Sequence, residues 1–211
     1  MRPYRVQPRL TDSELCSIVE FYHAHFPTWK VIEKDTLVRE SAPIVQGIAF
    51  ERLSGGEYRP TGHIRVLVAP EDHWSLELSQ RLNKHSSISR RQDRDYRPQV
   101  LASIRAEFIP CVDRPLNAEE VLKHYESEAY PSSPEAYSLA ALNAYLGHEK
   151  LALYWCSHFS ELVEASTDPW QECDLQRRDF LDQLVTWIKA GTAKAELERV
   201  LQLERNKWGL A

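Results

Sequence analysis

The sequence has no apolar run approaching the ~20 residues that a membrane-spanning helix needs. Its first residues, MRPYRVQPRLTDSEL, lack the apolar centre of a secretory signal. It also has no C-x-x-C pair. Cys16, Cys111, Cys156 and Cys173 are scattered, a spacing that fits reduced thiols better than a disulfide framework or a zinc site. Together these absences point to the cytoplasm and to no membrane association. Missing too are G-x-G-x-x-G, a P-loop, G-x-S-x-G, H-E-x-x-H and any clustered acidic metal motif. No metal and no cofactor is therefore expected, and the common cofactor-dependent enzyme classes lose weight. Nor is there a large excess of charge. The 26 Lys and Arg against 31 Asp and Glu leave a net −5, which supplies no broad attraction for nucleic acid or an anionic membrane.

What the 211 residues do contain is material for a core: 43% are hydrophobic, with six Trp and nine Tyr. The chain changes style near residue 115. Residues 1–115 mix helix and strand signals, whereas 116–211 carry helix signals only. The expected fold class is α+β, a small antiparallel sheet with an N-terminal helix packed beside a C-terminal antiparallel helical bundle. Neither half is large, so one shared core is expected.

The first helix is announced by TDSE. Thr11 caps the free N–H groups while Glu14 reaches back, a capping box. Leu15, Ile18, Val19, Tyr22 and Phe26 then recur at helical spacing, and Pro27 stops the run. A hairpin follows across 44–68, from IVQGIAFERL and YRPTGHIRVLV. A three-residue loop, 54–56, sets Leu53 opposite Glu57 and gathers Ile44, Ile48, Phe50, Ile64, Val66 and Val68 on one face. It also places Glu51 across from Arg59. A two-residue turn would slip the register and put His63 and Arg65 among the apolar side chains. The longer loop requires Gly56 in the left-handed conformation, and Pro60 marks 58–68 as an edge strand. Segment 74–83 reads as either strand or helix. Residues 84–97 read as a polar loop, and 98–108 as a short helix starting at Pro98 or a further strand, with the helix favoured.

Beyond 116 the helix signals sharpen. Asn117 and Glu120 form a cap, with Leu116 and Val121 as its hydrophobic staple. Ser133 caps the next helix ahead of Pro134. Gly147 ends it, Asp168-Pro169 repeats the cap-then-Pro device, and Gly191 separates the last two helices. Five helices in so short a span pack as antiparallel neighbours. The segment ALNAYLGHEKLALYW (141–155) resembles the middle of a tetratricopeptide (TPR) hairpin, with an aromatic before a glycine turn and an alanine beyond it. One such unit is visible, without the motif's usual tryptophan and proline. The resemblance implies a TPR-like helical hairpin, not a repeat array.

The densest set of reactive side chains is LALYWCSHFSEL (151–162). On a helix Cys156 and His158 lie roughly 200° apart, so neither activates the other. Leu151, Tyr154, Trp155, His158, Phe159 and Leu162 follow i, i+3, i+4 spacing and read as a buried stripe, with Cys156 on its flank. Phe50, Val66, Leu142, Tyr145, Trp155, Phe159, Phe180, Leu184 and Trp187 are expected in the core. His23 and His25 stand at i, i+2 on a helix, where metal ligands diverge. Glu119, Glu120, Glu126 and Glu128 read as a charged helix face.

Two constellations remain. His63, Arg65, Arg59 and Glu51 share the second hairpin face. With His73 and His85 they could form a cationic, titratable surface for a phosphate or carboxylate. The segment SRRQDRDYR (89–97) offers Arg90, Arg91, Arg94, Arg97 and the stacking ring of Tyr96 against Asp93 and Asp95, a candidate partner-binding loop. The favoured expectation is a non-enzymatic protein-binding module, in one concrete form a bacterial immunity or antitoxin-like protein that occludes a toxin. Its alternative is a metal-independent phosphodiester or RNA-processing hydrolase using His63 and Arg65. Nucleic acid would then be contacted through 84–97. A third expectation, a homodimer, would show as an exposed apolar patch around Trp208 and Leu210.

Overall fold

Thr11 and Glu14 close a reciprocal cap: the Thr11 hydroxyl accepts from the Glu14 N–H, and the Glu14 carboxylate accepts from the Thr11 N–H at 2.8 Å. This opens α1 (Asp12–His23), whose Leu15, Ile18, Val19 and Tyr22 face inward. The structure, a computed structural model, describes residues 8–72, 79–108, 112–126, 132–166 and 171–210. The chain divides into two compact units. The first comprises residues 1–41, 45–65 and 78–116, and the second comprises 42–44, 66–77 and 117–211. The elements have the α+β composition expected: an N-terminal helix, a small antiparallel sheet and a C-terminal set of helices.

The sheet runs in the order β1 (Lys30–Ile32), β2 (Thr36–Ser41), β3 (Ile44–Leu53), β4 (Glu57–Val66), β5 (Gln80–Arg81), with β6 (Ile88–Ser89) also pairing β4. A three-residue turn at 54–56 joins β3 to β4, with Gly56 left-handed at φ 73°. Glu51 and Arg59 meet at 3.9 Å, as that loop length requires. The face carrying Ile44, Ile48, Phe50, Ile64 and Val66 is fully buried.

Two expectations are corrected here. Strand β4 is not an edge strand, because β5 pairs it at Thr61 and Gly62 and β6 pairs it at Glu57 and Tyr58. Pro60 falls in the gap between those two short pairings, where its missing N–H costs no ladder bond. The second hairpin face is not a solvated surface around His63 and Arg65 either: those two, Val45 and Ala49 are buried, while Glu51 and Arg59 at its turn end stay half-buried.

The core of the first unit is built from α1, the sheet and α2 (Asp93–Glu107). Tyr22 stacks on Phe50 with centroids 4.8 Å apart, and Ile18, Trp29, Leu37, Tyr58, Val100 and Ile104 close around them. Helix α2 starts five residues before the expected Pro98, so 93–97 are helical and the polar loop is shorter than predicted. Pro98 sits inside the helix, leaving one carbonyl without its usual donor. The reason for the early start is Asp93, whose carboxylate is anchored from two sides, as described below.

In the second unit five helices follow: α3 (Ala118–Glu126), α4 (Ser133–Tyr145), α5 (Glu149–Ala165), α6 (Glu172–Ala190) and α7 (Ala193–Lys207). The Asn117 side chain caps α3 by accepting from the Glu119 N–H at 2.9 Å, and Leu116 and Val121 are buried around it. The cap of α4 is Ser132, not Ser133. Glu135 stands three residues beyond Ser132 and accepts from its N–H at 2.6 Å, completing a capping box that Ser133 could not form. Asp168-Pro169 lies outside the described residues, as do His73, Trp74 and Cys111. Gly191 ends α6 in the left-handed conformation at φ 69°.

Helix α4 is central. Every residue from Ala136 to Ala144 is buried, and the helix touches α3, α5, α6 and α7. Its alanines and Ser138 let neighbours approach on all sides. Tyr145 and Trp187, expected in the core, are half-buried at helix margins. Leu210 is buried and Trp208 half-buried, so the two do not form the exposed patch a homodimer was expected to use. No described helix is long and apolar enough to cross a membrane.

Candidate functional site

The stripe expected to be buried on α5 holds in part: Trp155 and Phe159 are buried and His158 and Leu162 half-buried, but Leu151 and Tyr154 turn outward. The inward face of the helix is Ala152, Trp155, Cys156, Phe159 and Val163, a set with the same i, i+3, i+4 spacing rotated by about one residue. Leu151 and Tyr154 are 44% and 55% exposed. Periodicity alone left two phases open, and alanine at 152 packs against a neighbour more closely than leucine at 151 would. Tyr154 stacks parallel to His158 at 5.7 Å, and His158 Nδ1 lies 3.2 Å from Glu161. Cys156 is a core thiol, pushed up to about 12 by burial and then by the Asp182 carboxylate. It faces away from His158, so this cluster holds no activated nucleophile.

His63 and Arg65 are 2% and 1% exposed. The imidazole lies flat against Gly47, where a Cβ would stand 2.1 Å from the ring. Burial first, and then the Arg65 guanidinium, push its pKa down to about 3, against a backbone hydrogen bond with Thr61 that acts the other way. It is a neutral packing group at neutral pH. His23 Nε2 is engaged with the Trp29 carbonyl at 2.8 Å, and His25 Nδ1 with the Phe21 carbonyl at 2.9 Å. Among the described residues no group of three or more His, Cys, Asp or Glu is placed to hold a metal ion.

The arginines of 90–97 do come together. They line a cleft of about 580 Å³ in the first unit, with Leu10, Ser13, Glu14, Ser17 and Ile18 contributed from α1 and the residue before its cap. Two of the four are structural. Arg90 grips Glu14 at 2.7 Å and donates to the Arg9 carbonyl at 3.1 Å. Arg97 holds Asp93 through Nε and a terminal nitrogen, the latter at 2.5 Å. Asp93 also accepts from the buried Tyr58 hydroxyl at 2.8 Å, and Tyr58 lies 3.2 Å from the Tyr22 hydroxyl. Burial holds the Tyr58 phenol far above its ordinary value, reinforced by Tyr22 and Asp93. This network pins the first turn of α2 to the sheet. Arg91 and Arg94 are exposed and are uncommitted to any carboxylate among the described residues. Tyr96 is 39% exposed, with its ring edge-on to His85 at 5.7 Å, and it does not line the cleft. Nor do His63 and Arg65.

Formal charge divides unevenly between the units. The first carries 17 Lys and Arg against 12 Asp and Glu, a net +5; the second carries 9 against 19, a net −10. The whole-chain value of −5 conceals this, because the division needs the unit boundaries. Outward on α5 and α6, Glu161, Glu164, Glu172, Asp179 and Asp182 are all exposed. They share those helices with Leu151, Tyr154 and the 41% exposed Leu175. No protein-family model, no curated protein and no solved structure matches the chain.

Proposed function

We propose that the chain is a non-enzymatic binding protein that holds a basic protein partner through the outward face of α5 and the acidic residues beside it. The observation that carries this reading is the net −10 of the helical unit. Charge of that density accelerates encounter with a cationic surface and rejects acidic ones. Leu151 and Tyr154 supply the apolar contact that charge alone lacks, and a tyrosine is a favoured anchor at interfaces. In its most specific form the partner is a toxin whose cationic active site is occluded, as an immunity or antitoxin-like protein would do. Hydrolysis of a phosphodiester by His63 and Arg65 is less well supported, because both are buried and the imidazole is a poor base.

The test is affinity capture from the source lysate with and without nuclease, repeated with Tyr154→Ala and with Glu161→Lys/Glu164→Lys. A stoichiometric basic protein that survives nuclease and is lost with both variants is the expected result. Capture that is indifferent to both variants, or that disappears on nuclease treatment, rejects the reading. For the toxin form, adding the purified chain must suppress the recovered partner's activity.

A further inference from the structure

We propose that the cleft between α1 and the start of α2 is a binding site for a phosphoryl-bearing small molecule. Its donors are uncommitted. Arg91 and Arg94 line it without a carboxylate partner, and so do the exposed Ser13 and Ser17 hydroxyls, which make no hydrogen bond within the described chain. Two guanidinium groups and two hydroxyls together match the several acceptor oxygens of a phosphoryl group better than the two of a carboxylate.

The cleft is also held in shape. Arg90 ties the end of the 84–92 segment to Glu14 on α1, and Arg97 with Asp93 fixes the first turn of α2. Those two pairs neutralise four of the seven charged groups in the lining. Of the other three, Asp95 offsets one arginine, so recognition rests on donor geometry more than on bulk charge. The volume of about 580 Å³ lies in the range of small-molecule sites, roughly 300–1,000 Å³. The buried Leu10 and Ile18 give it an apolar floor for the non-phosphoryl part of the ligand.

This site is in the first unit and does not depend on the partner reading of α5, so the two can fail separately. The probe is inorganic pyrophosphate, titrated into the full chain by calorimetry, with citrate at matched ionic strength as the comparison. Saturable binding is expected for pyrophosphate and at least about tenfold weaker binding for citrate. Arg91→Ala/Arg94→Ala should weaken the pyrophosphate affinity by at least about tenfold, the scale of losing a charge-assisted hydrogen bond. Arg91→Lys/Arg94→Lys, which keeps the charge and guards against a folding defect, should lose part of it. The proposal is overturned by absence of saturation, by citrate binding equally well, or by affinity unchanged in both variants.

Discussion

Arg177 and Glu71 form an ion pair in the second unit, Nε to Oε1 at 2.7 Å, with side chains 9% and 4% exposed. The guanidinium also lies 5.7 Å over the Tyr137 ring, and Tyr137 donates to the Pro70 carbonyl at 2.8 Å. Lys207 donates to the Glu71 carbonyl as well. Segment 70–72 is thus fastened to the helices by charge at Glu71 and, more loosely, at Asp72, and by backbone at Pro70 and Glu71. Glu71→Ala removes the shortest partner of the buried Arg177 guanidinium, which keeps Asp174 at 3.7 Å, and should cost up to about 3 kcal/mol, whereas a double replacement by well-packed apolar residues should cost far less. Urea unfolding of the two variants checks this; equal losses would show that the charge is not what matters.

Gly47→Ala tests the packing beneath His63. The new methyl would stand 2.1 Å from a ring that is 2% exposed and has nowhere to move. A destabilisation of about 1–3 kcal/mol is expected, the scale of overpacking a tight core, read as a fall in Tm. Gly55→Ala meets no atom but has φ 80°; its cost should be backbone strain alone.

Stability should fall on acidification between about pH 6.5 and pH 3. His63 is held down to about 3 when folded and returns to about 6.5 when unfolded, so in that window the unfolded chain binds the extra proton. Stability is therefore complete above the unfolded value and declines by about 1.4 kcal/mol for each pH unit below it, until the folded value is reached. Urea midpoints of the wild type and His63→Gln, measured from pH 7 to pH 4, should converge as the pH falls. Parallel profiles would remove His63 from the acid response.

Native thiol labelling at pH 8 should leave Cys156 unmodified while Cys16 and Cys173, both half-exposed, react. Labelling of Cys156 at the rate of the other two would mean that α5 opens readily.

Local signals were readable wherever a few adjacent residues decide the outcome. The Thr11–Glu14 box, the 54–56 turn and the Gly191 stop depend on neighbours in the chain. Reading failed where a distant group decides. Asp93 starts α2 because Tyr58, 35 residues away, holds it, and nothing in SRRQDRDYR announces that. The same segment displayed its four arginines plainly, yet which two are spent on structure depends on Glu14, 76 residues away from Arg90. Helix α5 had two admissible phases, and only its neighbours chose between them. His63 and Arg65 were placed on the correct strand face, but burial of that face is set by the tertiary fold.

Helix α4 has a further consequence for how the second unit comes apart. Buried from Ala136 to Ala144 and touched by four helices, it has no side that water can reach until a neighbour has gone. Removing α7 would lay bare one flank of it, and removing α3 another. Amide protons in its middle turn should therefore exchange only when the unit opens as a whole, and more slowly than those of α7. Helices α3 and α7 are thus an outer layer that can open first, and α4 is the part of the unit that water reaches last.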